Sequence, residues 1–185
     1  MPDKPTILNT CVIAQSRLFR IEQLSLQFSN GEQRDYERII APGNGAVLIV
    51  PLLQDSTVLM VKEYSAGTDN YELVFPKGRI NAGESIEYAA NRELREEIGY
   101  AARQLKHIRS MTLAPGYLKF NTHIVLAEHL YPDSLQGDEP EPLEIVACDL
   151  SILDEFLQQP SLTEARSIAC LYMVRDLLRD RKQDD

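Results

Sequence analysis

The chain has 185 residues, 44% hydrophobic and 25% charged, with ordinary glycine and proline content; that profile excludes a disordered or fibrous chain and predicts one sizeable folded domain with room for a small appendage. A formal net charge of −9 repels phosphodiester backbones, so nucleic acid is a poor partner, and an anionic small molecule would need positive charge supplied inside its site. The longest apolar run, AVLIVPLL at 46–53, is too short to span a bilayer, and MPDKPTILNT has no basic region leading into an apolar stretch, which predicts a cytoplasmic protein with no membrane partner.

In chain order, RLFRIEQLSLQFSNGEQRDYERI (17–39) alternates apolar and polar residues on one side of Ser29-Asn30-Gly31 and continues as a polar extended stretch on the other. An Asn-Gly pair in that setting predicts a hairpin. After APGNG (41–45), the runs AVLIVPLL (46–53) and TVLMVKEY (57–64) flank a short loop and predict paired buried strands. ELVF (72–75) predicts another. The segment 84–98 lacks glycine and proline, is rich in alanine, leucine, arginine and glutamate, and stops at Gly99, the residue type favoured just past a helix end. LKHIRSMTL (105–113), THIVLAEHL (122–130) and LEIVACDL (143–150) predict strands. SILDEFLQQ (151–159) and SLTEARSIACLYMVRDLLRDR (161–181) predict helices, followed by a polar tail. Strands with interspersed, not regularly alternating, helices indicate an α+β or mixed α/β/α layered domain. Cys11, Cys148 and Cys170 are far apart, odd in number and form no CxxC pair, which points to neither a disulfide framework nor a thiolate metal site.

The 84–98 helix carries the chemistry. At about 100° per residue, Ile86, Ala90, Glu93 and Glu97 fall within roughly 60° of one another, so two glutamates continue a stripe that is apolar one and two turns earlier. Glu96 lies on its flank. A solvated charged face with pairs such as Arg92 to Glu96 is the common alternative for a glutamate-rich helix, but the angles count against it. Crowded carboxylates facing a core lose hydration and repel one another, so some must protonate or a cation must join them. Oxygen donors with no nearby histidine or cysteine favour hard ions such as Mg2+ or Mn2+. A zinc enzyme is disfavoured because His107, His123 and His129 show no ligand spacing beyond strand-like alternation. Ahead of the helix, ELVFPKGRINAGES brings Pro76, Gly78 and Gly83 into a loop that lets backbone approach a ligand.

Gly78, five residues, Glu84, seven residues, then Arg92-Glu93-Leu94-Arg95-Glu96-Glu97-Ile98-Gly99 resembles the signature of the Nudix hydrolase superfamily; Tyr100 stands where an aliphatic residue is usual. The resemblance implies an α/β/α sandwich over about residues 45 to 180 and hydrolysis of a nucleoside diphosphate linked to another moiety. It implies that Glu93 and Glu97 are principal metal ligands, that Glu96 supports or joins them, and that the carbonyl of Lys77 is a backbone ligand. Glu84 matches the helix-start glutamate and Arg92 the arginine that orients the carboxylates.

Three features outside the signature resemble the ADP-ribose pyrophosphatase branch. Pro115, in LAPGY with Tyr117, matches its downstream proline. GDEPEPLE (137–144) resembles the acidic loop that supplies a catalytic base, here Glu139, and an extra metal ligand, here Glu141; a plain solvated loop is the alternative. The segment 1–45 resembles an N-terminal β piece that joins a partner subunit and shapes the nucleoside pocket, with Phe19 and Arg38 at the positions that hold adenine. Such a piece has too little core to stand alone, so docking on a second copy of the chain is expected. Near-full-length similarity implies a homodimer with an N-terminal β segment (1–45) and a hydrolase domain (46–185), acting with Mg2+ or Mn2+ on ADP-ribose, NADH and diadenosine oligophosphates to release AMP. Another specificity within the family, such as coenzyme A or a sugar nucleotide, and a non-catalytic nucleotide-binding regulator are the alternatives. The three glutamates argue against the regulator.

Overall fold

A computed structural model describes residues 3–41 and 43–184. Met1, Pro2, Pro42 and Asp185, which belong to the expected N-terminal piece, its connecting loop and the polar tail, lie outside the described residues. Among the described residues, eleven strands and three α-helices follow one another as β1 (Thr6–Gln15), β2 (Arg20–Gln27), β3 (Gln33–Ile40), β4 (Ala46–Gln54), β5 (Thr57–Ser65), β6 (Asn70–Val74), β7 (Lys77–Arg79), α1 (Ile86–Glu97), β8 (Tyr100–Thr112), β9 (Leu118–Lys119), β10 (Asn121–Pro132), β11 (Glu144–Asp149), α2 (Leu153–Phe156) and α3 (Ala165–Asp184).

The predicted hairpin is β2–β3, paired antiparallel from Arg20↔Ile40 to Gln27↔Gln33. Its turn uses Gly31 at φ +86°, a conformation that suits a residue without a Cβ, and the Asn30 side chain accepts from the Glu32 N–H at 3.1 Å. Strand β1 pairs antiparallel with β2 and is exposed along its whole length. The short β9 adds to the other side of β3 in parallel, so this four-stranded sheet, ordered β1-β2-β3-β9, takes one strand from far along the chain.

The larger sheet runs β11-β5-β4-β10-β8, with β6 on β5 and β7 on β4. Strands β4 and β5 pair only near their shared turn, at Leu52↔Val58 and Gln54↔Thr57, then splay. The chain through β6, Phe75, Pro76 and β7 fills the gap: β6 pairs with β5, β7 with β4, and the Pro76 carbonyl accepts from the Ile49 N–H at 2.8 Å. The loop ahead of the signature helix is thus part of the sheet.

Both faces of this sheet are covered, which is why β4 reads as a continuous apolar run. Val47, Ile49, Val61 and Val74 pack beneath Ala89, Ala90 and Leu94 of α1. Leu48, Val50, Met60 and Leu73 pack on the other side against Leu171, Val174 and Leu178 of α3. The architecture is the expected mixed α/β/α arrangement. Cys148 and Cys170 are buried and Cys11 is exposed, all three as free thiols.

Several boundaries differ from the sequence expectation. Strand β8 begins at Tyr100 and not at Leu105. Helix α1 starts at Ile86, because the Ser85 hydroxyl caps it by accepting from the Tyr88 N–H at 3.1 Å; Glu84 therefore precedes the helix. The expected 151–159 helix is a 3-10 turn at Leu150–Ile152 and the four residues of α2, which still bury Leu150 and Leu153 in the core with Phe156 and Leu157 packed on it. Helix α3 begins only at Ala165, where the Glu164 carboxylate accepts from the Ser167 N–H at 2.8 Å, and it continues to Asp184 into what reads as tail. Among the described residues no helix is long and apolar enough to cross a membrane.

Candidate active site

The C-terminal half of α1 lies over β7, and one glycine permits the approach. A Cβ on Gly78 would overlap the carboxylate of Glu93, so that carboxylate rests directly on the backbone and Glu93 is 9% exposed. One turn on, Glu97 Oε1 accepts from the Lys77 N–H at 3.1 Å. Its other oxygen, Oε2, is buried with no hydrogen-bond partner. Burial pushes the Glu97 carboxyl up to about 8, with Glu63 and Glu93 adding to the shift and Lys77 opposing it. Burial also raises Glu93, against the pull of Arg92. The inward stripe inferred from angle is present, and its cost appears as two carboxyls raised above their ordinary value by burial.

Arg92 organises the other carboxylates. Its Nε and Nη2 donate to the two oxygens of Glu84 at 2.9 and 3.1 Å, its Nη1 to Glu93 and Glu96 at 2.8 Å each, and its Nη2 also to the Arg79 carbonyl at 2.9 Å. Glu84 is tied further to the Asn81 N–H at 2.9 Å. The hydrogen bond from Arg92 holds the Glu84 carboxyl down at about 2, so Glu84 is an anchor that stays charged. Arg92 to Glu96 does form an i,i+4 pair, but within a four-membered network and not on an open solvated face.

A cavity of about 720 Å³ opens beside this network, lined by Gly78, Arg79, Arg92, Glu93, Glu96 and Glu139 among others. The loop before β11 brings Glu139 there. Its Leu135 N–H donates to the Arg95 carbonyl at 2.9 Å and its Asp133 N–H to the Gly99 carbonyl at 3.0 Å, satisfying groups left open at the helix end. Gly137 then passes close to the Glu96 carbonyl. Burial raises the Glu139 carboxyl, and Glu63 and Asp138 add to it.

Glu141 is not brought to this cavity: it accepts a hydrogen bond from the Tyr71 hydroxyl on β6. Arg38, Pro115 and Tyr117 line a separate cavity of about 410 Å³. Phe19 lines a third, adjoining one that shares Ala41 and Gly43 with it. Arg38 is held there by Glu22, with N···O distances of 3.0 and 3.2 Å. The first two cavities border one strand edge, since Gly45 lines one, Arg79 the other, and Ala46 pairs with Arg79.

Sequence reading passed over Glu63, Arg79 and Lys119. Glu63 ion-pairs with the Lys77 ammonium beside Glu97 and Glu139, and Lys119 lines the Arg38 cavity. No local signal marks them, because each enters through strand pairing.

The donor set fits a hard divalent ion. The side-chain ligand atoms that line the cavity are oxygens, carboxylates of Glu93, Glu96, Asp138 and Glu139 with the amides of Asn81 and Gln136, and the orphaned Glu97 oxygen is a buried acceptor that a cation would satisfy without a proton. Among the described residues no three acidic, histidine or cysteine groups stand in ready metal-holding geometry; Arg92 draws Glu84, Glu93 and Glu96 onto itself instead.

Residues 43–168 match the NUDIX domain, and residues 5–38 match the NudE-type Nudix hydrolase N-terminal domain. The chain is 47% identical over 176 residues to the ADP compounds hydrolase NudE of Escherichia coli, covering 95% of this chain and 94% of that one. It is 27% identical over 162 residues to an ADP-ribose pyrophosphatase of Bacillus subtilis, covering 84% and 86%. A crystal structure of an ADP compounds hydrolase superposes with a TM-score of 0.90 at 46% identity, covering 98% of this chain and 97% of the other.

Proposed function

The chain belongs to the Nudix hydrolase family, and from that premise we propose that it cleaves the diphosphate linkage of ADP compounds, among them ADP-ribose, NADH and diadenosine oligophosphates, releasing AMP. For ADP-ribose and one water the products are AMP and ribose 5-phosphate. The buried, half-partnered carboxylate of Glu97 over the Lys77–Gly78 backbone carries this reading, because on a chain of net charge −9 it asks for a cation where an anionic diphosphate would bind.

Glu93 and Glu97, with Glu96 and the Lys77 carbonyl, would hold Mg2+ or Mn2+. Such an ion supplies positive charge against the diphosphate and makes water a better nucleophile. Arg92, fixed by Glu84, holds Glu93 and Glu96 at 2.8 Å each in the metal-free site, and loading an ion would turn these two carboxylates from the guanidinium toward the cation. Glu139, facing the same cavity with a raised carboxyl, suits a general base that takes the proton of the attacking water. Glu141 two residues on would join the ions only after leaving Tyr71.

The nucleoside half would lie toward Arg38, Pro115 and Tyr117, with Phe19 across the neighbouring cavity. Tyr117 is 60% exposed and offers a ring face for base stacking. We assign the four-stranded N-terminal sheet to a homodimer interface, supported by the exposed Ile7, Leu8, Val12 and Ile13 on β1.

The test is product analysis with Mg2+ or Mn2+. AMP and ribose 5-phosphate from ADP-ribose are expected. No turnover of ADP-ribose beside rapid cleavage of coenzyme A or a sugar nucleotide would replace the substrate assignment, and no hydrolysis of any of these would favour a nucleotide-binding regulator.

A further inference from the structure

The proposed chemistry makes no use of the histidines, yet two of the three meet. His107 on β8 and Ser110 are three residues apart, a spacing that in a regular strand places side chains on opposite faces. Ser110 is the cross-strand partner of His123 on β10; the register slips between the pairs Ile124↔Arg109 and Val125↔His107, and this β-bulge turns His107 to the same side. Bulges of this kind re-aim side chains. The outcome is convergence: His107 Nε2 lies 3.2 Å from Ser110 Oγ, and His123 Nδ1 lies 2.8 Å from the same oxygen. The two rings have centroids 5.5 Å apart at 59°.

We propose that His107 and His123 form a binding site for a borderline transition ion such as Zn2+, with Ser110 Oγ and solvent completing its coordination, separate from the carboxylate site that suits hard ions. Two imidazoles sharing one ion at about 2.1 Å in tetrahedral geometry have ring centroids roughly 5 Å apart, close to the spacing already present. Nitrogen donors select Zn2+, Ni2+ or Cu2+ over Mg2+. Burial and the neighbouring His107 lower the pKa of His123, which favours the neutral imidazole that a metal requires. His107 is exposed, so an ion can enter from solvent. His123 Nε2 also faces Gly45, which lines the cavity of Arg38 and Tyr117, so a bound ion would place positive charge near that cavity. The missed signal was the bulge: without it the 107 and 123 positions show only strand alternation.

The experiment is a zinc titration of the full chain in excess Mg2+, followed by the imidazole nitrogen resonances and by competition with a chromophoric chelator. Below one equivalent of Zn2+, the signals of His107 Nε2 and His123 Nδ1 should shift together while those of His129 stay in place. His107→Gln, at an exposed position that leaves the core intact, should weaken zinc binding by about tenfold or more, as should His123→Gln. The proposal is overturned if both variants keep the wild-type affinity, or if the affinity is lost with Cys11→Ser or Glu97→Gln instead.

Discussion

Glu97 concentrates the conflict on which the site is built. One of its oxygens takes a backbone hydrogen bond and the other is buried without a partner, so without a metal ion the group keeps its proton up to about pH 8. A carboxyl whose folded pKa exceeds its ordinary value near 4.5 binds a proton in the native state that the unfolded chain has released between those two pH values. Its contribution to stability therefore falls as pH rises through that window. Glu22, Glu84 and Glu164 have lowered pKa values and change their contributions only in more acid solution. The metal-free protein should melt at a lower temperature at pH 8 than at pH 5, and Glu97→Gln should flatten that slope. If Mg2+ binds at Glu97 it takes the place of the proton, so its stabilising effect should grow with pH in the wild type and shrink in the variant. Thermal melts of both proteins across the range check the sign. The same substitution should lower kcat/KM for ADP-ribose by about 10²- to 10³-fold if charge stabilisation at this carboxylate supplies several kcal/mol; unchanged hydrolysis would remove Glu97 from the metal site.

At the scale of elements, the site depends on a helix seated on a strand that the sequence does not advertise. The 77–79 segment reads as loop because Pro76, Gly78 and the short span hide its pairing. The splayed β4 and β5 leave an opening that only β6 and β7 fill, and Gly78 then allows α1 to descend until Glu93 touches backbone. Gly78→Ala should force that carboxylate aside. We expect a loss of about 1–3 kcal/mol, the usual range for overpacking, read by urea unfolding, together with weaker Mg2+ binding by calorimetry. The helix itself was legible in its composition, its stop at Gly99 and the angular crowding of Glu93 and Glu97, whereas its start was not, because the Ser85 cap was not read from the sequence. Glu139 was legible as a candidate through its acidic loop, but only the hydrogen bonds of that loop to the end of α1 bring it to the cavity while its neighbour Glu141 goes to Tyr71.

For the whole molecule, the N-terminal sheet is the part with the least support of its own. Strand β1 is ten residues long and exposed throughout, with Ile7 54% and Val12 51% exposed. A long apolar edge strand left open invites association. If a second copy covers it, the double variant Ile7→Lys, Val12→Lys should sediment as a monomer where the wild type sediments as a dimer, with the urea transition of the hydrolase domain little changed. A monomeric wild type would end that assignment. Strand β8, the opposite edge of the large sheet, carries Arg103, Lys106 and Arg109 in exposed positions, the charged pattern that discourages edge pairing.

The sequence by itself determined the features carried by short-range periodicity and spacing: the hairpin at Asn30-Gly31, the buried strand at 46–53, the helix before Gly99 and the inward turn of Glu93 and Glu97. These follow from backbone geometry that repeats every two or 3.6 residues, so local text suffices. Tertiary structure alone decided what depends on residues meeting across the chain: β7 slotted between splayed strands, β9 borrowed by the N-terminal sheet, Glu63 beside Lys77, and His107 turned onto His123 by a bulge. Their partners lie 14 to 79 residues away, and nothing in local periodicity encodes a contact over that separation; sheet pairing does.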